Sequence, residues 1–166
     1  MSRLAILLLN IPDTERLVPV AAGMTSIKNL VSWQAVDGNA NLVALIDGSA
    51  DPLLDFLHKT AGDISMTMCE TTPEANDGSL PIVSPDTCWT WVFADIDQSK
   101  KNEIRRRLAS LPQIPVSWAA RGGCDLVALV SGKTLDEVDR TISREIQPLD
   151  GILRLKRNRI INLNAL

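Results

Sequence analysis

The stretch Val31 to Gly48, VSWQAVDGNANLVALIDG, is written a second time at Val116 to Gly132 as VSWAARGGCDLVALVSG. Val31-Ser32-Trp33 matches Val116-Ser117-Trp118, and Gly38-Asn39-Ala40-Asn41-Leu42-Val43-Ala44-Leu45 matches Gly122-Gly123-Cys124-Asp125-Leu126-Val127-Ala128-Leu129. Leu42 and Leu126 are separated by about half the chain, so the repeat takes up the whole sequence and each copy is one supersecondary unit. Each half is too small to hold a comfortable core alone, which predicts that the two share one.

Both versions read as a strand, a small polar turn and a second strand, and the elements around them follow from local signals. Leu4 to Leu9 is an apolar run without alternation, the pattern of a strand buried on both faces. Between Asp13 and Leu30, Pro19 and Gly23 allow only a short or broken helix. Asp51 before Pro52 predicts a helix start, with Asp51 as cap and Leu53, Leu54, Leu57 and Ala61 as the apolar face. Ile64 to Glu70 alternates as a half-buried strand. In the second copy, Cys88 to Ala94 is a strand with Trp89, Trp91 and Phe93 on one side. A helix follows from Asp97 or Ser99, carrying Ile104, Leu108 and Leu111 and closed by Pro112. Thr134 with Glu137 is a capping box for the next helix, whose stripe is Leu135, Val138, Ile142 and Ile146. Ile152 to about Leu163 is the last strand, with Leu153 and Leu155 inward and Arg154 and Lys156 outward.

Each copy therefore reads strand, helix, strand, strand, helix, strand, the ferredoxin-like split unit. In that unit the first and third strands are central, and here they are nearly continuous in apolar residues. A lone sheet with helices on one face should alternate instead. The second face of each sheet must be covered, and the other copy supplies the cover. The expected fold is α+β: tandem βαββαβ repeats with antiparallel sheets packed face to face, as a twofold dimer would look if its halves were fused. The first repeat spans 1–70, a Pro-, Gly- and Ser-containing linker 71–86, and the second repeat 87–166.

The bulk numbers exclude several classes. A net charge of −3 and a pI near 5.1 give no basic surface for nucleic acid. The Leu4 to Leu9 run is too short to span a membrane and ends in a Pro-Asp turn signal, so the chain reads as cytoplasmic with no membrane partner. Cys69, Cys88 and Cys124 have neither CxxC nor Cys/His spacing, so no metal site is expected, and no phosphate-cradling loop suggests a cofactor. His58 is the only histidine and lies on a helix with no catalytic neighbours in sequence.

The candidate site residues come from the repeated hairpin. Gly38, Gly122 and Gly123 leave room for a ligand backbone, and Asn41 or Asp125 can accept from an ammonium group. The same residues serve turns everywhere, so a purely structural role is open beside the binding role. Trp33 and Trp118 occupy matching positions on the second strand of each unit and either wall a pocket between the copies or fill space. Arg154, Lys156, Arg157 and Arg159 attract an anion or block unwanted pairing at a sheet edge, and edge blocking is favoured.

Three patterns stand in order in the second copy: Leu108-Ala109-Ser110-Leu111-Pro112, the glycine-x-x-aspartate hairpin Gly122 to Asp125, and Ile146-Gln147-Pro148-Leu149-Asp150-Gly151-Ile152. With them the segment from roughly Trp89 to Leu163 resembles the effector-binding (RAM) domain of the Lrp/AsnC transcription regulators, in the dimeric α/β barrel superfamily. The first copy departs from it in carrying Asn41 for the aspartate. The resemblance implies a pseudo-dimeric α/β barrel that binds a small effector, often an amino acid, where two units meet and near the glycine-x-x-aspartate loop. With the first strand beginning near Leu4, no helix-turn-helix domain is expected ahead of it. The reading favours a non-enzymatic regulatory module, bound to a small-molecule effector and free of direct nucleic-acid contact. A cofactor-free barrel enzyme of monooxygenase-like type, and an interaction module that assembles with itself or with regulators of the same family, remain open.

Overall fold

The computed structural model describes residues 4–71 and 86–161. The body of the expected linker lies outside the described residues. The first half runs β1 (Leu4–Asn10), α1 (Leu17–Met24), β2 (Leu30–Gly38), β3 (Leu42–Asp47), α2 (Asp51–Ala61) and β4 (Ser65–Thr71). The second runs β5 (Cys88–Ile96), α3 (Lys101–Ala109), β6 (Val116–Gly122), β7 (Leu126–Gly132), α4 (Leu135–Thr141) and β8 (Ile152–Ile161). Two βαββαβ halves are present, as the repeat predicts.

Local chemistry sets the helix ends. Thr134 Oγ1 accepts from Glu137 N at 3.2 Å, which caps α4, while Glu137 Oε2 accepts from Lys133 N at 2.8 Å and so reaches the residue just ahead of the cap. The start of α2 corrects the sequence reading. Ala50 is the cap and Asp51 already helical, and Ser49 Oγ accepts from Asp51 N at 3.1 Å, so the capping oxygen comes from the residue upstream.

The eight strands close into one antiparallel barrel in the order β1-β3-β2-β8-β5-β7-β6-β4 and back to β1. Within each half β1 and β3, or β5 and β7, are central. The outer strands of one half pair with those of the other. The β2–β8 seam joins Ala35, Val36, Asp37 and Gly38 to Ile161, Ile160, Arg159 and Asn158; the β4–β6 seam joins Cys69, Glu70 and Thr71 to Gly122, Arg121 and Ala120. Helices cover the outside, so the central strands are buried on both faces. Ile6, Leu8, Val43, Leu45, Trp89, Trp91, Phe93, Trp118, Val127 and Leu129 fill the lumen. Leu7, Leu9, Ala44 and Ile46 pack outward with Leu53 and Leu57, and Val92, Ala94, Ala128 and Val130 with Ile104, Leu108 and Val138.

Barrel closure overturns two expectations about β8. Phe93 stands opposite Lys156 and Asp95 opposite Arg154, so Arg154 and Lys156 share the lumen side at one mouth of the barrel, while Leu153 faces out and is 71% exposed. The alternation was right and its sense inverted, because the closed sheet has apolar partners on its outer side as well. Arg159 does not block an edge: it crosses the β2–β8 seam to Asp37 at 3.2 Å. Arg157 points to the helix side, 3.7 Å from Asp139 and within hydrogen-bond reach of Ser143 and Gln147.

The matching tryptophans are not equivalent either. Eight residues separate Trp33 from Leu42 but seven separate Trp118 from Leu126. A one-residue offset in a strand moves a side chain to the other face. Trp118 opposes Val127 and lies in the lumen, 2% exposed, with its ring 6.4 Å from Trp91. Trp33 opposes Ala44 and packs half-buried on the outer layer of the first half. Gln34 takes the lumen position that Trp118 has in the other half, and its Oε1 accepts from Trp91 Nε1 at 3.1 Å. A β-bulge between Leu30 and Ser32 marks the irregularity on β2. Trp118→Ala is expected to cost about 3–5 kcal/mol in urea unfolding, as for other buried aromatics, and Trp33→Ala roughly half as much; equal losses would contradict the assignment to opposite faces.

Candidate functional site

The glycines of the two hairpins are demanded by the seams. A Cβ on Gly38 would collide with the Arg157 carbonyl oxygen. One on Gly122, whose φ is +96°, would sit 2.9 Å from the Met68 carbonyl, and one on Gly123 would strike the Thr67 methyl. In both halves the hairpin tip is pressed onto the fourth strand of the other half, and glycine lets the backbones approach.

Asn41 and Asp125 hold matching places. Asn41 N donates to Leu9 O and Asp125 N to Ala94 O, each at 3.0 Å, and their carbonyls accept from Val36 N and Ala120 N. Each side chain then fastens the end of its half's first strand. Asn41 is bonded to both sides of one residue: Oδ1 accepts from Ile11 N at 3.0 Å and Nδ2 donates to Ile11 O at 2.8 Å. Asp125 Oδ2 accepts from Ile96 N at 3.0 Å. The exchange of amide for carboxylate follows from these partners, since Asn41 must donate as well as accept.

The structure therefore does not gather the sequence-chosen residues around one cavity. Gly38, Asn41, Gly122, Gly123 and Asp125 serve the hairpins, Trp118 lies in the lumen and Trp33 on the outer layer. Gly123 alone of them borders the lumen-side cavity, with Thr67, Cys69, Asp95, Cys124, Arg154 and Lys156, and that cavity measures about 20 Å³. A space of about 10–15 Å³ on this measure holds one water, so the cavity has room for about a single water and not for a metabolite.

A larger concavity lies outside the barrel at the β4–β6 seam. It encloses about 730 Å³ between β4 and the start of α2, with walls from Leu4, Leu54, Met66 and Met68 and polar groups at Asp51, Glu70 and Arg121. Such a size falls in the range of small-molecule sites. Alternation along β4 creates it: Cys69 turns into the lumen, leaving Met66, Met68 and Glu70 outside, with Met66 40% exposed. Glu70 and Arg121 face each other across the seam, with Arg121 Nε 3.1 Å from Glu70 Oε2, and both remain largely open to solvent. The groove joins the first half's last strand to a residue just ahead of the second half's Gly122–Asp125 hairpin.

The other half does not repeat it. The paired registers make Cys69 and Asn158 equivalent, and so Met68 and Arg157. Where Met68 leaves the groove open, Arg157 reaches onto the helix side. Among the described residues, no cluster of His, Cys, Asp and Glu is placed to hold a metal ion, and no helix is long and apolar enough to cross a membrane.

No protein-family model matches the sequence, and no curated protein matches it. Solved structures do. The siroheme decarboxylase NirDL aligns with 96% of this chain and 71% of its own, at a TM-score of 0.71 and 9% identity. A mutant chlorite dismutase from Candidatus Nitrospira defluvii aligns with 99% of this chain and 92% of its own, at a TM-score of 0.58 and 10% identity. E. coli AsnC aligns with 52% of this chain and 61% of its own, at a TM-score of 0.44 and 16% identity. The full-length alignments show the class: the chain has the dimeric α/β barrel fold, with both halves on one polypeptide. At these identities the likeness is one of fold.

The side-chain partners of the two hairpins give unequal expectations. Asn41→Asp removes a donor and sets a carboxylate against the Ile11 carbonyl, for an expected loss of about 1–3 kcal/mol in chemical denaturation. Asp125→Asn keeps its acceptor and should change stability by less than about 1 kcal/mol. The reverse order would show that the two residues are not set by their backbone partners.

Proposed function

We propose that this protein is a small-molecule-binding regulatory module whose site is the groove at the β4–β6 seam, and that its ligand is an amino-acid-like zwitterion with an apolar side chain. The observation that carries this reading is the solvent-open pair of opposite charges, Arg121 and Glu70, on the rim of an otherwise Leu- and Met-walled groove. A guanidinium recognises a carboxylate in a two-pronged geometry, and a carboxylate accepts from an ammonium group. Methionine walls adapt to side chains of different shape. The resemblance to Lrp/AsnC effector domains supports the same place, because it implies a site where two units meet and close to the glycine-x-x-aspartate loop.

On this reading the ligand carboxylate takes over Arg121 and its ammonium group takes over Glu70, so that one molecule bridges β4 of the first half and β6 of the second. Its side chain lies along Met66, Met68 and Leu54. Binding then ties the seam more tightly, which is a change in barrel closure available to a regulator. The alternative of chemistry inside the barrel is disfavoured by the lumen, which Trp89, Trp91, Phe93 and Trp118 occupy.

A thermal-shift screen of the natural amino acids and their keto-acid analogues tests the proposal. A ligand at about one hundred times its Kd stabilises the native state by roughly 2.7 kcal/mol, a rise in melting temperature of about 5–10 °C for a chain of this size. Arg121→Ala should abolish the shift, and Glu70→Gln should lose zwitterions while keeping ligands with a carboxylate alone. A shift that survives Arg121→Ala, or none with any compound, refutes the site.

A further inference from the structure

Two of the three cysteines meet at the seam. Cys69 on β4 is fully buried and faces the lumen; Cys124, in the turn that follows Gly122 and Gly123, is 4% exposed. They border the same small cavity and belong to the same buried cluster. The backbone holds them there: Cys69 is paired with Gly122, and Gly123 N donates to Met68 O at 2.9 Å. At the equivalent point of the other seam stand Asn158 and Ala40, joined by the Asn158 Oδ1 bond to Ala40 N at 3.0 Å. One seam is thus held by a side-chain hydrogen bond to the hairpin tip. The other has two thiols in the same places.

We propose that Cys69 and Cys124 form a reversible disulfide that covalently closes the β4–β6 seam, with a low-molecular-weight disulfide or azo oxidant as co-reactant. In the step, one thiolate attacks the oxidant and forms a mixed adduct. The second thiolate attacks the sulfur of that adduct, the S–S bond forms and the reduced oxidant leaves. Two thiols lose two electrons and two protons, and the oxidant takes up both electrons. The hydrogen bond with Cys69, and then burial, push the Cys124 thiol above its usual range, so the thiolate is scarce and the reaction slow near neutral pH, faster as pH rises. The carboxylates of Asp95 and Asp125 act in the same direction, while Lys156 and Arg154 border the same cavity. The bond would link residues far apart in the chain, which removes freedom from the unfolded state more than from the native one. It does not depend on what the groove binds.

Cys88 is the internal control. It lies at the start of β5, half-buried and opposite Gly132, with its thiol directed to the Lys133 carbonyl at 3.9 Å. The test treats the folded, reduced protein with diamide, alkylates the remaining thiols and maps peptides without reduction. The expected product is an intramolecular Cys69–Cys124 link with Cys88 alkylated, together with a melting temperature raised by roughly 5–10 °C and restored by dithiothreitol. Cys124→Ala, which copies the Ala40 of the other hairpin and so keeps the fold, should abolish both the link and the shift, while Cys88→Ala should retain them. Oxidation confined to Cys88, or a Cys69–Cys124 link that appears only after unfolding in urea, overturns the proposal.

Discussion

Closure of the barrel is the constraint on which the rest depends. A four-stranded half with helices on one face has an uncovered apolar face, costly in water, and two rows of unpaired backbone groups open to pairing with another chain. The halves solve both problems for each other at once. The faces of β1, β3, β5 and β7 that their own helices leave bare become one lumen, and β2 and β4 find partners in β8 and β6. The hairpin glycines and the bond between Asn158 and Ala40 lie where this closure brings backbones together, while Asn41 and Asp125 fasten the first strand within each half. The features repeated in sequence are those that closure requires twice.

The seams also carry a charge code. Asp37 faces Arg159 at one and Glu70 faces Arg121 at the other, in equivalent positions with the sign exchanged. The first half supplies both acids and the second both bases. Closure of a first half on another first half would set Asp37 against Glu70, and closure of two second halves would set Arg121 against Arg159. Cross-strand pairs of opposite charge contribute only about 0.2–1 kcal/mol each, and like charges cost a similar amount. Their effect is on choice of partner more than on stability, as expected once two copies of one unit have become distinct.

Most of the fold was legible in the sequence because its causes are periodic. The duplication gave the number of units, and the unbroken apolar runs at Leu4 to Leu9 and Leu126 to Val130 showed that a second face must be covered. What failed was parity. The tryptophans look equivalent as letters, yet one residue of spacing between each and its hairpin decides the face, and no local propensity reports it. The sense of β8 failed for a related reason: polar alternate positions read as outside, whereas a barrel mouth is polar and inside. Of the two roles the sequence left open for Asn41 and Asp125, the structural one has named partners, since Asn41 accepts from and donates to Ile11 while Asp125 accepts from Ile96.

The groove was not legible, and the reason is topological. Leu4, Leu54, Met68 and Arg121 belong to four elements, and nothing joins them until the register across the β4–β6 seam is known. The alternation Met66, Met68, Glu70 was visible, and it is the one local trace of the site, since it marks β4 as apolar on a face that its own half does not fully cover. The equivalent face of β8 carries Leu155, Arg157 and Arg159, and Arg157 reaches over it to Asp139, Ser143 and Gln147. A symmetric pair of grooves would be the default for a duplicated chain. The replacement of Met68 by Arg157 at the matching point breaks that symmetry: Arg157 reaches over its face of β8 to the helix side, whereas Met68 leaves its face of β4 open beside the second half's hairpin.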